Sequence, residues 1–201
     1  MSVGLYIGGP QCGKSTLLRR HVYGSRQPGV RYLIMDRDGK GTWAGPVFRS
    51  ARSFREHPTV ARFSIFRGPS GLEVCSLAVE LGWSVYVDEE AHRVIAEGYG
   101  PERPGRPAHP LYRIAHEGAH LEDGAGEPSE VMALLATHRP ANLPADLVAC
   151  AEHVYLGRTT LWSDVRRCYE EGWLDAESPR DARRILGALR PGDFLTTTLR
   201  V

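Results

Sequence analysis

Short, largely apolar runs recur along the chain at 3–7, 32–35, 61–66, 83–87, 131–136 and 153–156. A strand with one wet face alternates polar and apolar residues, whereas one covered on both faces reads as a continuous apolar run. Helix-like segments separate most of these runs. The pattern therefore predicts a three-layer α/β domain built on a mainly parallel sheet. Near the C-terminus, Ser178-Pro179 predicts a helix start, Pro191-Gly192 its end, and 194–201 a final edge strand completing the sheet. The stretch 99–110 is too rich in Pro and Gly for regular structure and reads as an exposed loop. A second loop is expected at 122–129.

Length and composition narrow the picture only a little. With 201 residues, 42% of them hydrophobic, the chain suits one domain over 1–201, burying roughly 70% of its unfolded surface. The four cysteines, Cys12, Cys75, Cys150 and Cys168, show no CxxC spacing, which favours a reducing compartment. No apolar run approaches the ~20 residues that span a bilayer, and the start of the chain leaves no room for a secretion signal, so a soluble protein is expected. A formal net charge of +1 means that any nucleic-acid contact must come from local patches.

The first apolar run leads into GGPQCGKST, residues 8–16. Gly8 and Gly13 allow a tight loop whose backbone N–H groups turn inward at a helix start, where they can cradle phosphate oxygens. Gly9, Pro10, Gln11, Cys12 and Thr16 complete the ATP-binding segment. Lys14 reaches the β/γ-phosphates and the Ser15 hydroxyl ligates Mg²⁺. The chain has only two lysines, Lys14 and Lys40, which makes an accidental match improbable on composition.

A nucleotide site of this kind also needs a strand that ends in acid. The run 83–87 leads into Asp88 and Glu89. Asp88 is placed to hold Mg²⁺ and Glu89 to deprotonate an attacking water. An adjacent Asp-Glu pair favours hydrolysis over transfer to a small acceptor. The run 131–136 delivers Thr137, His138 and Arg139 to its carboxyl end, where open α/β sheets bind ligands. His138 is the candidate contact to the γ-phosphate.

In this order and spacing, GGPQCGKST, YLIMDRDGKG, VYVDEE and LLATHRPANLPADLVACAEHVYLGRT resemble the HerA–FtsK superfamily of DNA-pumping ATPases. The absence of further domains is similar to the compact genome-packaging ATPases of tailless, internal-membrane icosahedral viruses. The resemblance covers most of the chain. It implies a P-loop NTPase fold of the ASCE, RecA-like kind, ATP and Mg²⁺ as cofactors, double-stranded DNA as partner, and a homo-oligomeric ring, a hexamer by family expectation. A portal or membrane vertex protein as anchor, and a location in the host cytoplasm or at the virion vertex, follow from the same source. Carried over by position, Lys14 and Ser15 bind phosphate and Mg²⁺, Asp88 holds Mg²⁺, Glu89 is the base and His138 stands where the family has a sensor Gln. A second departure is at Gly118-Ala119, where relatives carry Gly-Arg on the helix before the sensor strand. The trans-acting arginine then falls to Arg113 or Arg93.

Other readings compete for parts of the chain. HEGAH, residues 116–120, matches the H-E-x-x-H helix of zinc proteases, although Gly118 weakens a helix and Asp123 stands where the longer motif requires glycine. A P-loop nucleotide or small-metabolite kinase would need an arginine lid, for which Arg103 and Arg106 are the candidates. A non-hydrolysing scaffold that merely retains the loop is a third class. For DNA contact the candidates are Arg103 and Arg106, together with Arg49, Arg52, Arg55, Arg62 and Arg67. Phe48, Phe54, Phe63 and Phe66 interleave that second group, and the helix and strand periods there favour a core-facing role for them.

Overall fold

The computed structural model describes residues 3–24, 30–36, 39, 43–56, 61–68, 71–88, 91–118, 120–122, 126 and 130–199. In chain order the elements are β1 (Val3–Ile7), α1 (Lys14–Gly24), β2 (Tyr32–Met35), β3 (Val47–Phe48), α2 (Ala51–Glu56), β4 (Phe63–Phe66), α3 (Leu72–Glu80), β5 (Ser84–Val87), α4 (Ala91–Ala96) and α5 (Pro110–Glu117). There follow β6 (Ala133–Thr137), a 3₁₀ turn (Pro140–Asn142), α6 (Ala145–Ala149), β7 (Ala151–Leu156), α7 (Trp162–Glu170), α8 (Pro179–Ala188) and β8 (Leu195–Thr198). The strands form one sheet in the order β3-β4-β2-β5-β6-β1-β7-β8. Every pairing is parallel except that of β8, which runs antiparallel along the β7 edge.

The largely apolar runs are explained by two covered faces. Tyr6, Tyr32, Ile34, Ile65, Tyr86, Leu134 and Ala136 pack with Leu18 and Val22 of α1. Their neighbours Leu5, Ile7, Leu33, Met35, Val85, Val87, Ala133 and Leu135 point the other way, into a core shared with α3, α5, α6, α7 and α8. The three-layer expectation is met.

Several boundaries differ from the apolar pattern. The third and fourth runs pair only over Phe63–Phe66 and Ser84–Val87, while the last begins earlier, at Ala151. β6 starts at Ala133 and takes in Thr137, so the first residue past that strand is His138. The final strand is confined to Leu195–Thr198. β3 was not anticipated, because two residues are too few to carry a period. Ser178 caps α8 by accepting from the Asp181 N–H, as its Ser-Pro start predicts. In the Pro-rich loop, Arg103 and Arg106 exchange backbone hydrogen bonds in a tight turn, and Pro110 already belongs to α5. Phe48, Phe54 and Phe66 are buried, so the aromatics between the arginines do face the core.

Candidate functional site

Parallel pairing brings the carboxyl ends of β2, β5, β6, β1 and β7 to one rim. β6 lies between β1 and β5, so the strand leading into His138 separates the glycine-rich loop from Asp88. Met35 pairs with Val87 and Ile7 with Thr137, which sets Asp36 beside Asp88 and Gly8 beside His138.

The loop is fastened to strands on both sides. The Gly8 N–H donates to Thr137 O (3.2 Å) and the Gly9 N–H to Arg158 O (2.7 Å). Gln11 (φ 59°) and Gly13 (φ 100°) adopt left-handed conformations that reverse the chain into α1. Among the described residues nothing accepts the N–H groups of Gly13, Lys14 and Ser15, which stand at the start of a helix where such donors have no intrahelical acceptor. Those groups and the helix dipole suit a phosphate. Lys14 is 5% exposed, and its ammonium donates to Gly8 O (2.8 Å) and Gly9 O (2.9 Å), curling over the loop. Beside the loop lies a recess of about 320 Å³ lined by Gly9, Pro10, Gln11, Cys12, Arg158, Thr160 and Pro191.

Asp88 faces this loop from the end of β5. Its Oδ2 accepts the indole N–H of Trp43 at 2.7 Å, and the Ser15 side chain lies close enough to the carboxylate to favour its charged form. Oδ1 is buried with no hydrogen-bond partner. Burial pushes the Asp88 carboxyl above its ordinary value, the Ser15 and Trp43 hydrogen bonds hold it down, Asp36 pushes it up and Arg19 down. A carboxylate with one orphaned, desolvated oxygen and a serine side chain nearby fits a hard divalent cation. Asp36 is itself engaged by Arg67, whose Nη2 lies 2.9 Å from Oδ2.

At the His138 end, the rings of His138 and His92 meet edge to face, centroids 5.4 Å apart. The Nδ1 of His92 lies 3.5 Å from Thr137 Oγ1. Thr137 Oγ1 accepts the Arg139 N–H at 3.0 Å, and the Arg139 guanidinium lies 3.7 Å from the buried Asp164.

The structure thus gathers Gly8, Gly9, Pro10, Gln11, Cys12, Gly13, Lys14, Ser15, Thr16, Asp88 and His138 at one rim. Glu89 falls outside the described residues. Arg113 is not brought there. It lies on α5, 3.4 Å from Glu117, and lines a larger recess of about 670 Å³ with Glu80, Glu102 and Glu117. Its helix is capped by the buried His109, whose Nδ1 accepts the Leu111 N–H at 3.2 Å. Arg93 is exposed on α4. Arg103 and Arg106 are exposed, and the Arg106 guanidinium donates to Gly98 O. HEGAH is not a continuous helix: α5 ends at Glu117, and His120 lies beyond it with its N–H bonded to Glu117 O. His116 instead lies near Asp146 (3.7 Å), and among the described residues no three His, Cys, Asp or Glu side chains cluster as metal ligands.

No protein-family model matches the sequence, and no curated protein matches it. Solved structures do. The genome packaging NTPase B204 from Sulfolobus turreted icosahedral virus 2, in complex with ATPγS, superposes with a TM-score of 0.68 over 98% of this chain and 91% of that one, at 13% identity. B204 described as the DNA-packaging ATPase from Sulfolobus turreted icosahedral virus superposes at 0.65, covering 98% and 92%, also at 13% identity. The fold is that of a P-loop NTPase. Within this P-loop NTPase fold, Arg19, Trp43, His92, Arg158 and Asp164 belong to the site or its rim without having been singled out, while Asp36 stands at the strand end of the quoted YLIMDRDGKG. Asp36 carried a signal, since it ends an apolar strand as Asp88 does. Trp43 and Asp164 carried none, because their contacts to a distant carboxylate and turn leave no mark on neighbouring residues.

Proposed function

We propose that this chain is an ATP-hydrolysing DNA translocase, a genome-packaging motor working as a ring. The observation that carries the reading is the approach of Ser15, at the end of the glycine-rich loop, to the Asp88 carboxyl, whose Oδ1 is buried and unpaired. The neighbouring structures are packaging NTPases of nearly the same length, which supports the same use of the fold.

In this reading the N–H groups of residues 13–15 and the Lys14 ammonium bind the triphosphate, and the recess beside Arg158 and Pro191 receives the nucleoside. Ser15 and Asp88 would hold Mg²⁺, which supplies charge neutralisation across the phosphates. Glu89 takes the proton of the attacking water, and His138 contacts the γ-phosphate. Arg113 or Arg93 reaches a neighbour's site across a head-to-tail ring interface, a hexamer by resemblance. Arg103 and Arg106 contact double-stranded DNA, and a portal or membrane vertex protein anchors the ring. No helix among the described residues is long and apolar enough to cross a membrane; the virion vertex or the host cytoplasm is the location the resemblance implies.

The kinase alternative gains no support, because no residue of the Pro-rich loop lines the recess at the phosphate loop. The deciding experiment is ATP turnover with water as sole acceptor, measured across protein concentration with and without double-stranded DNA. The motor is expected to turn over faster per subunit as concentration rises and as DNA is added. A rate indifferent to both rejects it.

A further inference from the structure

Asp164 is a carboxylate that the phosphate chemistry leaves unused. It sits in the first turn of α7 and is only 1% exposed. An acid so far from water persists when its oxygens are engaged. Both oxygens grip one short stretch of chain: Oδ1 accepts the Ala141 N–H at 3.3 Å, and Oδ2 lies 3.7 Å from Arg139 Nη1. That stretch follows directly on His138. From the opposite side, Thr137 links the Arg139 N–H to His92 of α4. His138 is therefore flanked by α4 and by the turn that α7 grips. Burial pushes the Asp164 carboxyl up, while the Ala141 N–H, Arg139, His138 and His92 act to keep it ionised.

We propose that Asp164 is a positioning residue for hydrolysis: by gripping residues 139–141 it fixes the end of β6, and with it the direction from which His138 meets the γ-phosphate. The inference rests on the motor reading of the same site. Rotating the turn breaks two interactions at once and strands a buried charge, so the carboxylate locks a single orientation. The same scaffold reaches the other side of the nucleotide. α7 packs on α8, and the turn after α8 seats on the phosphate loop through the Gly192 N–H, which donates to Cys12 O at 2.9 Å.

The test is steady-state ATPase kinetics, binding of a non-hydrolysable ATP analogue, and thermal melting for wild type, Asp164→Asn, Arg139→Gln and the double variant. Asn keeps the shape and the Oδ1 acceptor but releases Arg139. The expected result is a kcat lower by on the order of 10- to 100-fold, the cost of a misplaced group in a site of this kind, with analogue affinity within about twofold of wild type. Arg139→Gln, at a side chain 43% exposed, should give a similar loss, and the double variant should be no slower than the slower single one. A merely structural Asp164 would lower the melting temperature and leave kcat per folded molecule unchanged. That result overturns the proposal, as does a loss confined to nucleotide affinity or losses that multiply in the double variant. If Asp164→Asn does not fold, Arg139→Gln decides alone: an unchanged kcat overturns the proposal. A wild type that does not hydrolyse ATP is a different failure, that of the motor reading itself, and it takes this inference with it.

Discussion

The indole N–H of Trp43 donates to Oδ2 of Asp88 at 2.7 Å and leaves Oδ1 buried without a partner. One oxygen of the strand-end acid is thus committed to the protein, and the other is kept dry. Held this way, the carboxylate is oriented but under-satisfied, the condition in which a cation gains most.

That orientation costs stability. A carboxyl raised by burial binds its proton more tightly folded than unfolded, so the charged form destabilises the fold increasingly as pH rises above the ordinary value of 3.8, and most at neutral pH. Asp88→Asn is expected to raise the melting temperature of the nucleotide-free protein at pH 7, by about 2–4 °C for each kcal/mol relieved, while abolishing Mg²⁺-dependent turnover. Calorimetry at pH 7 checks it, and a lower melting temperature in the variant contradicts it.

Lys14 and Glu89 should separate binding from chemistry. Lys14→Ala is expected to weaken nucleotide binding itself, because the buried ammonium is held over the loop by the carbonyls of Gly8 and Gly9. Glu89→Gln should retain binding and lose about two to four orders of magnitude in turnover, the usual contribution of a general base. Binding isotherms and single-turnover rates distinguish the two, and wild-type hydrolysis by Glu89→Gln removes Glu89 from the role.

Gly13 is constrained twice. Its φ of 100° disfavours any side chain, and a Cβ there would lie 3.3 Å from the backbone of Gly192. Gly13→Ala should cost on the order of 1–3 kcal/mol and loosen the C-terminal turn from the loop, lowering ATP affinity together with stability. Denaturant melts and ATP titrations report the two effects, and an unaffected ATP affinity counts against the seating of that turn.

Where the resemblance to the HerA–FtsK ATPases implies a sensor Gln, this chain has the imidazole of His138. A neutral imidazole donates through one nitrogen only, and the triphosphate should favour its protonated form. The wild type is therefore expected to lose ATPase rate on the alkaline side at a lower pH than His138→Gln, which should stay active. Superimposable pH–rate profiles would remove any titratable role for His138.

His109 gives acid sensitivity to the helix that carries Arg113. Burial lowers its value from 6.5 to about 4, opposed by its bond to Val94 O and reinforced by Arg106. The neutral ring is needed, since Nδ1 accepts from Leu111 while Nε2 faces Val94 O at 3.2 Å. Its stabilisation is full above about pH 6.5 and is lost as pH falls toward 4, on the order of 3 kcal/mol. Melting curves of wild type and His109→Asn from pH 7.5 to 4.5 should converge at the acid end, and parallel curves contradict the assignment.

The sequence by itself determined the layers and the phosphate loop, for local reasons. Largely apolar runs such as 3–7 and 83–87 are intelligible only if both faces are covered, and the glycines and lysine of residues 8–16 carry their geometry within nine residues. Tertiary structure decided what surrounds that loop. Strand order is a long-range property, so only the fold could place β6 between β1 and β5 and bring His92 against His138. Trp43 and Asp164 reach the site from a loop and a helix with no periodic signal for it, because a buried hydrogen bond to a distant carboxylate or turn leaves no mark on neighbouring residues. The HEGAH pattern shows the converse: its local spacing suggested a helix, but the chain leaves the helix at Gly118, whose N–H closes on Ile114 O and whose carbonyl accepts from Val131.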